Sequence, residues 1–244
     1  MDNDYKYNSW PLGKLPLDWQ RPEPSLISEL GYTWNDPRQI VDIFEKKLAD
    51  FSGSRFCVLT DSASSAIMLC LARRVFNQQR TITIPLNTYV SVAMQVIHSG
   101  NNLSFRHEEW SGIYELGDTG ILDGAGRFAP GMFAGGNKLQ ALSFQIKKRL
   151  PIGKGGAILT DSEEDAQWLK LASYDGRNLK SEYDSQEHVT QLGWHCYMTP
   201  EDAARGILLM DKIMPPYNDT MTWKNYPPIN SFEFFKNHKN ESEI

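Results

Sequence analysis

The sequence predicts an α/β fold, a mostly parallel sheet sandwiched by helices. Short apolar runs of strand length alternate along it with longer segments whose apolar residues recur at helical spacing. Its 244 residues are 41% hydrophobic, enough for one sizeable core or a core with a small appendage. Strands that alternate with helices favour parallel neighbours covered on both faces.

Residues 1–35 are rich in Pro, Trp and Tyr and hold no sustained period. They are expected to form an extended N-terminal arm, with Trp10, Trp19 and Trp34 as packing anchors. The first firm helix begins near Asp36, which suits an N-cap. Pro37 suits the first helical position and Gln39 the returning side chain of a capping box. Ile40, Ile43, Phe44, Leu48 and Phe51 then share one face, and Gly53 closes the helix. The runs 56–60, 81–85, 103–106, 121–123, 141–145 and 157–160 read as strands, and 64–74, 90–99, 163–173 and 200–213 as helices. The α/β domain is thus expected over 36–214. Residues 215–244, with Pro215-Pro216 and Pro227-Pro228, are expected to be an irregular tail whose polar end is disordered.

Several function classes are disfavoured. The balance of 25 basic against 30 acidic side chains gives a formal charge of −5, and no basic face is clustered for nucleic acid. No stretch approaches the ~20 apolar residues of a membrane helix, and the polar start Met1-Asp2-Asn3-Asp4 is unlike a secretory signal. Cys57, Cys70 and Cys196 lie far apart, which fits free thiols in a reducing cytoplasm. His107-Glu108-Glu109 reads as a solvated turn, and His188 and His195-Cys196 have no matching ligand pair, so no metal site is expected.

In an open α/β sheet, ligands sit beyond the carboxyl ends of the strands. Unusual residues follow several of them. In Asp61-Ser62-Ala63-Ser64-Ser65 a strand passes into a helix on small hydroxyl residues. The first-turn N–H groups and the helix dipole suit an anion such as phosphate, although plain N-capping by Ser62 or Ser64 is the simpler reading of these residues alone. Asp123 ends a strand and precedes Gly124-Ala125-Gly126. It suits either a turn cap or a carboxylate facing a cationic ring nitrogen. Lys148 follows a strand and precedes Gly153-Lys154-Gly155-Gly156. A lysine there is either solvated or, in a desolvated pocket, able to form a Schiff base.

Taken in order, these segments resemble the pyridoxal phosphate (PLP)-dependent, fold type I sugar aminotransferases of the DegT–StrS family. Residues 57–72 (CVLTDSASSAIMLCLA) resemble its phosphate-binding strand and helix, with Ser64 on the phosphate-binding Thr and Ser62 and Ala63 beside it. Residues 84–93 (IPLNTYVSVA) resemble its Pro-x-x-Thr-aromatic segment, which implies that Tyr89 stacks on the cofactor ring. Residues 122–126 resemble Glu-Asp-Ala-Ala-Gln, with Asp123 as partner of the pyridine nitrogen and Gly126 beside the cofactor hydroxyl. Residues 143–161 (SFQIKKRLPIGKGGAILTD) are the strongest match: the five-residue step from Ser143 selects Lys148 as the Schiff-base lysine and makes Ser143 a second phosphate contact. Residues 192–208 resemble the segment that completes the partner subunit's site, with His195 near that partner's phosphate.

The departures are Gly126 for Gln or His, His195 for Asn and Ala63 for Gly. The span between Phe105 and Ile121 is short for the family, and the small C-terminal domain is expected to be largely missing. The resemblance implies an aminotransferase acting on a keto sugar, possibly nucleotide-linked, with a small-molecule amino donor, in a homodimer with shared sites. Lys148 disfavours the related sugar dehydratases, in which His replaces the lysine. The competing class is a non-catalytic PLP-binding or regulatory relic of the same fold.

Overall fold

A computed structural model describes residues 20–181, 185–186 and 188–237. Two helices start the described chain. The first, α1 (Glu23–Glu29), corrects the expectation of a wholly extended arm: it buries Ile27. Arg21 ties it down by pairing with Glu23 at 2.9 Å and Asp202 at 2.7 Å. Trp34 packs partly buried as expected, while Trp10 and Trp19 lie outside the described residues. The second, α2 (Gln39–Ser52), has the reciprocal bonds that its sequence implies. Asp36 Oδ1 accepts from the Arg38 N–H at 2.9 Å, and Gln39 Oε1 accepts from the N–H of Asn35 at 2.8 Å and of Asp36 at 3.3 Å. The regular helix begins two residues later than Pro37, because the N–H groups of Gln39 and Ile40 close three-residue turns onto Asp36 and Pro37. Gly53, at φ +79°, ends it in the left-handed region.

The main sheet contains β1 (Phe56–Thr60), β4 (Tyr114–Glu115), β5 (Ile121–Asp123), β6 (Leu139–Ser143) and β7 (Gly156–Thr160), in the order β1-β7-β6-β5-β4. β2 (Thr81–Pro85) and β3 (Asn102–Arg106) form a separate parallel pair. The helices α3 (Ala63–Val75), α4 (Val90–His98) and α5 (Glu163–Ser173) share one apolar core, and α2 and α6 (Pro200–Met210) share the other. Alternate residues of each strand feed the two cores: Val58 and Ile158 one, Cys57, Leu59, Ala157 and Leu159 the other. The α/β class and the helix-covered sheet therefore match the sequence reading.

The pairing does not. Within the main sheet only β5 and β6 are parallel; β7 lies antiparallel between β1 and β6, and β4 lies antiparallel on β5. The cause is in the connections. A parallel neighbour needs a crossover, usually a helix, whereas β6 reaches β7 through a helix-free loop and β4 reaches β5 through a tight turn at Gly117–Gly120. β1, β5 and β6 still point the same way, so their carboxyl ends share one edge.

The described part of the tail, 215–237, is closely held. Ile229 donates its N–H to Leu86 at 2.9 Å, Ser111 bridges Thr222, and a short helix α7 (Glu233–Asn237) follows. Ile229 and Phe235 are buried. The polar end 238–244 lies outside the described residues. Among the described residues no helix is long and apolar enough to cross a membrane, and no group of three His, Cys, Asp or Glu side chains is placed to hold a metal.

Candidate active site

A cleft of about 560 Å³ opens at the shared edge, within the ~300–1,000 Å³ usual for small-molecule sites. Ser62, Ala63, Ser64, Tyr89, Asp123, Gly126, Ser143 and Lys148 all line it. Eight of the sequence-derived candidates are therefore brought together.

One wall is the N-terminus of α3. Ser62 is its N-cap: the backbone is extended and the Oγ accepts from the Ser65 N–H at 3.1 Å. The capping reading thus holds for Ser62, and it coexists with an anion site, since the first-turn N–H groups of any helix lack helical acceptors. Ser64 Oγ donates to Ser91 Oγ at 2.7 Å on α4, which fixes the hydroxyl beside that turn. The loop after Lys148 runs against this wall, with Gly155 bridging Ser62. A Cβ on Gly156 would stand 2.5 Å from the Ser62 carbonyl carbon and 2.6 Å from the Ala63 nitrogen, so only glycine admits this approach.

At the other end is Asp123, a buried carboxylate. Its Oδ1 accepts from the Ala125 N–H at 2.9 Å and its Oδ2 from the Tyr114 hydroxyl at 2.6 Å. Burial pushes its pKa above the usual carboxylate range, while the Tyr114 and Ala125 bonds and the charge of Lys148 oppose that rise. Three lysines face the cleft, and burial separates them. Lys147 is exposed, and Lys154 is exposed and paired with Asp61 at 3.2 Å. Lys148 is half-buried; burial lowers its pKa, against the pull of Asp123. A lowered amine pKa raises the fraction of nucleophilic free base near neutrality.

Tyr89 stands exposed at the mouth, edge-on to Tyr226 with ring centroids 6.3 Å apart. His195 is not in the cleft. It lines a separate hollow of about 270 Å³ with Asp61, Ser64 and Ser65, and its Nδ1 lies 2.9 Å from Asp175 Oδ2. Gly126 is explained by its neighbours: a Cβ there would meet Gly112 Cα at 3.0 Å and Met221 Cβ at 3.1 Å.

Sequence reasoning missed Trp110 and Tyr114, and it missed Met221, Asn225 and Tyr226 of the tail, all of which line the cleft. A signal for Tyr114 was present. Gly117-Asp118-Thr119-Gly120 is a cluster of turn residues immediately before a strand, the mark of a hairpin. The tail residues carry no such signal.

Residues 30–106 and 127–216 match the profile of the DegT/DnrJ/EryC1/StrS aminotransferase family. The chain belongs to this family. No curated protein matches the sequence. Among solved structures it resembles NtdA from Bacillus subtilis with bound cofactor PMP (20% identity, TM-score 0.59, 78% of this chain and 52% of that one). It also resembles Helicobacter pylori PseC, an aminotransferase involved in the biosynthesis of pseudoaminic acid (18%, 0.60, 80% and 63%). A third is DesI in the presence of its TDP-sugar product (16%, 0.57, 78% and 57%). The chain therefore spans between about half and two thirds of the length of these structures, and at such identities the likeness concerns the fold.

The DegT/DnrJ/EryC1/StrS family is PLP-dependent, and the cleft suits that cofactor. It offers a half-buried amine for an aldehyde, a buried carboxylate for a ring nitrogen, and a helix N-terminus for a phosphate. Asp123 lies in the span 107–126 that the family profile leaves unmatched, so its assignment rests on this geometry.

Proposed function

We propose that this chain is a PLP-dependent aminotransferase that moves an amino group onto the keto group of a sugar, of the nucleotide-linked class. The observation that carries the reading is the convergence of Lys148, Asp123 and the α3 N-terminus on one cleft. Bound PLP supplies an electron sink for the bond broken at the amino-bearing carbon. Lys148 Nζ is the amine that would hold the PLP aldehyde, and when free it would carry a proton within the cleft as a general base. Asp123 keeps the ring nitrogen protonated. Ser62, Ala63, Ser64 and Ser143 would bind the phosphate, Gly126 would lie beside the ring hydroxyl, and Tyr89 would stack on the ring.

The working unit in this reading is a homodimer, in which the segment Gly193–Met198 reaches the partner's cleft and His195 takes the place of an amide donor to its phosphate. His195 is exposed and stands outside its own chain's cleft, which fits a residue serving another copy. Cys57, Cys70 and Cys196 are free and buried, and burial raises their pKa values, in keeping with inert thiols of a reducing cytoplasm.

Borohydride reduction of the protein with PLP, followed by peptide mapping, tests the reading. Lys148 should carry the label. A label on Lys147 or Lys154, or none, overturns the assignment. A subsequent screen of amino donors separates a working enzyme from a non-catalytic binder.

A further inference from the structure

Tyr114 is the first residue of β4 and stands directly opposite Asp123 in the β4–β5 ladder. Its ring packs between Trp110 (centroids 4.9 Å apart) and the sheet, and the residue is buried. The phenol donates its single proton to Asp123 Oδ2 at 2.6 Å. Thr88 Oγ1 lies 2.5 Å from the same phenol oxygen, and since that proton is already given to the carboxylate, Thr88 is the donor of this second bond. Thr88, Tyr114 and Asp123 thus form a directed chain that starts just before α4 and ends on the carboxylate beneath the cleft. All three are buried.

We infer that Tyr114, backed by Thr88, is a positioning residue that holds the Asp123 carboxylate in one orientation, as an anion, at the floor of the cleft. The Ala125 N–H fixes one oxygen and the phenol the other, so the carboxylate plane cannot rotate without breaking a bond. Each carboxylate oxygen has a further lone pair, which leaves Asp123 free to accept from a ring nitrogen in the cleft. Tyr114 belongs to the span that the family profile does not match. Its catalytic consequence rests on the reading of Asp123 given above; its hold on Asp123 does not.

Four groups face Asp123 and set its ionisation: Tyr114 from β4, the Ala125 N–H from the turn after β5, Lys148 from the β6–β7 loop, and Tyr226 from the tail. Tyr226 itself is pushed up to about 12 by burial, with Asp123 adding to the rise, so it is neutral at working pH. Burial raises the pKa of Asp123, and of the opposing causes the Tyr114 bond comes first. Removing that bond must therefore raise the pKa further. A hydrogen bond to a buried charge corresponds to about one to two pKa units.

The test is a pH titration of [13C]carboxyl-aspartate-labelled protein by NMR, with Asp123→Asn to assign the resonance. Tyr114→Phe keeps the ring and removes the donor; the Asp123 midpoint should rise by about one to two units. Thr88→Val should raise it by a smaller amount in the same direction. An unchanged midpoint in Tyr114→Phe overturns the inference. Should that variant fail to give a folded spectrum, Thr88→Val decides, and no shift there overturns it as well. A parallel titration with PLP, read by absorbance, separates the two readings. If PLP binds, the acid limb of its affinity should move up with the Asp123 midpoint. If PLP does not bind at any pH while the NMR shift is present, Tyr114 keeps its role and the proposed function fails.

Discussion

Gly156→Ala probes the tightest backbone approach at the candidate phosphate site. Gly156 does not adopt a left-handed backbone, so alanine meets no conformational penalty and the whole effect is contact. The new Cβ would lie 2.5 Å from the Ser62 carbonyl carbon and 2.6 Å from both the Ser62 oxygen and the Ala63 nitrogen. Ordinary contact begins near 3.4 Å, so two backbone segments must part by about 0.9 Å, with no flexible side chain to yield. Overpacking of this kind costs about 1–3 kcal/mol. At roughly 2–4 °C per kcal/mol for a chain of this size, the melting temperature should fall by about 2–12 °C. The displaced atoms are the first turn of α3, so PLP affinity should fall too, by about tenfold if one charge-assisted bond of ~1.5 kcal/mol is lost. Thermal melts with an absorbance titration of PLP measure both. A variant that melts within a degree of the parent and binds PLP equally well would refute the claim that the glycine loop braces the phosphate site.

Asp123→Asn removes the charge that favours a protonated ring nitrogen; the half-reaction rate with an amino donor should drop by orders of magnitude while PLP remains bound, and a near-parental rate in stopped-flow absorbance would remove Asp123 from its role. Light scattering at micromolar concentration should show a dimer, since symmetric dimers are the commonest oligomers and the proposed site is shared; a monomer would sink the shared-site reading. In that dimer His195→Ala should weaken PLP binding; unchanged binding would remove only the phosphate contact.

Much of the fold was legible because it is written in local pattern. The face Ile40, Phe44, Leu48 of α2, the Asp36–Gln39 start signal and the all-buried run of β7 are each contained in a few consecutive residues. The cleft followed from the same logic, because residues at the carboxyl ends of β1, β5 and β6 converge whenever those strands point one way. Lys148 was separable from Lys147 in the sequence only by its spacing from Ser143; the structure separates them independently, by burial. Strand direction was less legible. Periodicity reports which residues face the core and says nothing of which neighbour a strand takes, so the insertion of β7 against the sense of β1 and β6 left no local trace.

The remaining wall of the cleft was illegible for a different reason. It is assembled from two segments far apart in sequence, 107–126 and the tail, and each is ordered by the other. Ser111 Oγ donates to Asp219 Oδ2 at 3.1 Å, the Gly112 N–H donates to the Met221 carbonyl at 2.9 Å, and Trp110 stacks on Tyr226 with centroids 5.9 Å apart. Each link is a single residue with no repeat on either side, so no window of the sequence contains the signal. Such links also carry a high entropic cost of closure, which only their burial offsets. That burial is present in Trp110, Tyr114, Ile229 and Phe235, none of which sits in a periodic run longer than a few residues. The family profile passes over 107–126 and ends at 216, so most of this wall lies outside the residues that the profile matches. In the proposed reading, differences in what the cleft accepts should trace to Trp110, Tyr114, Met221 and Tyr226, while Lys148 and the α3 N-terminus would hold the cofactor.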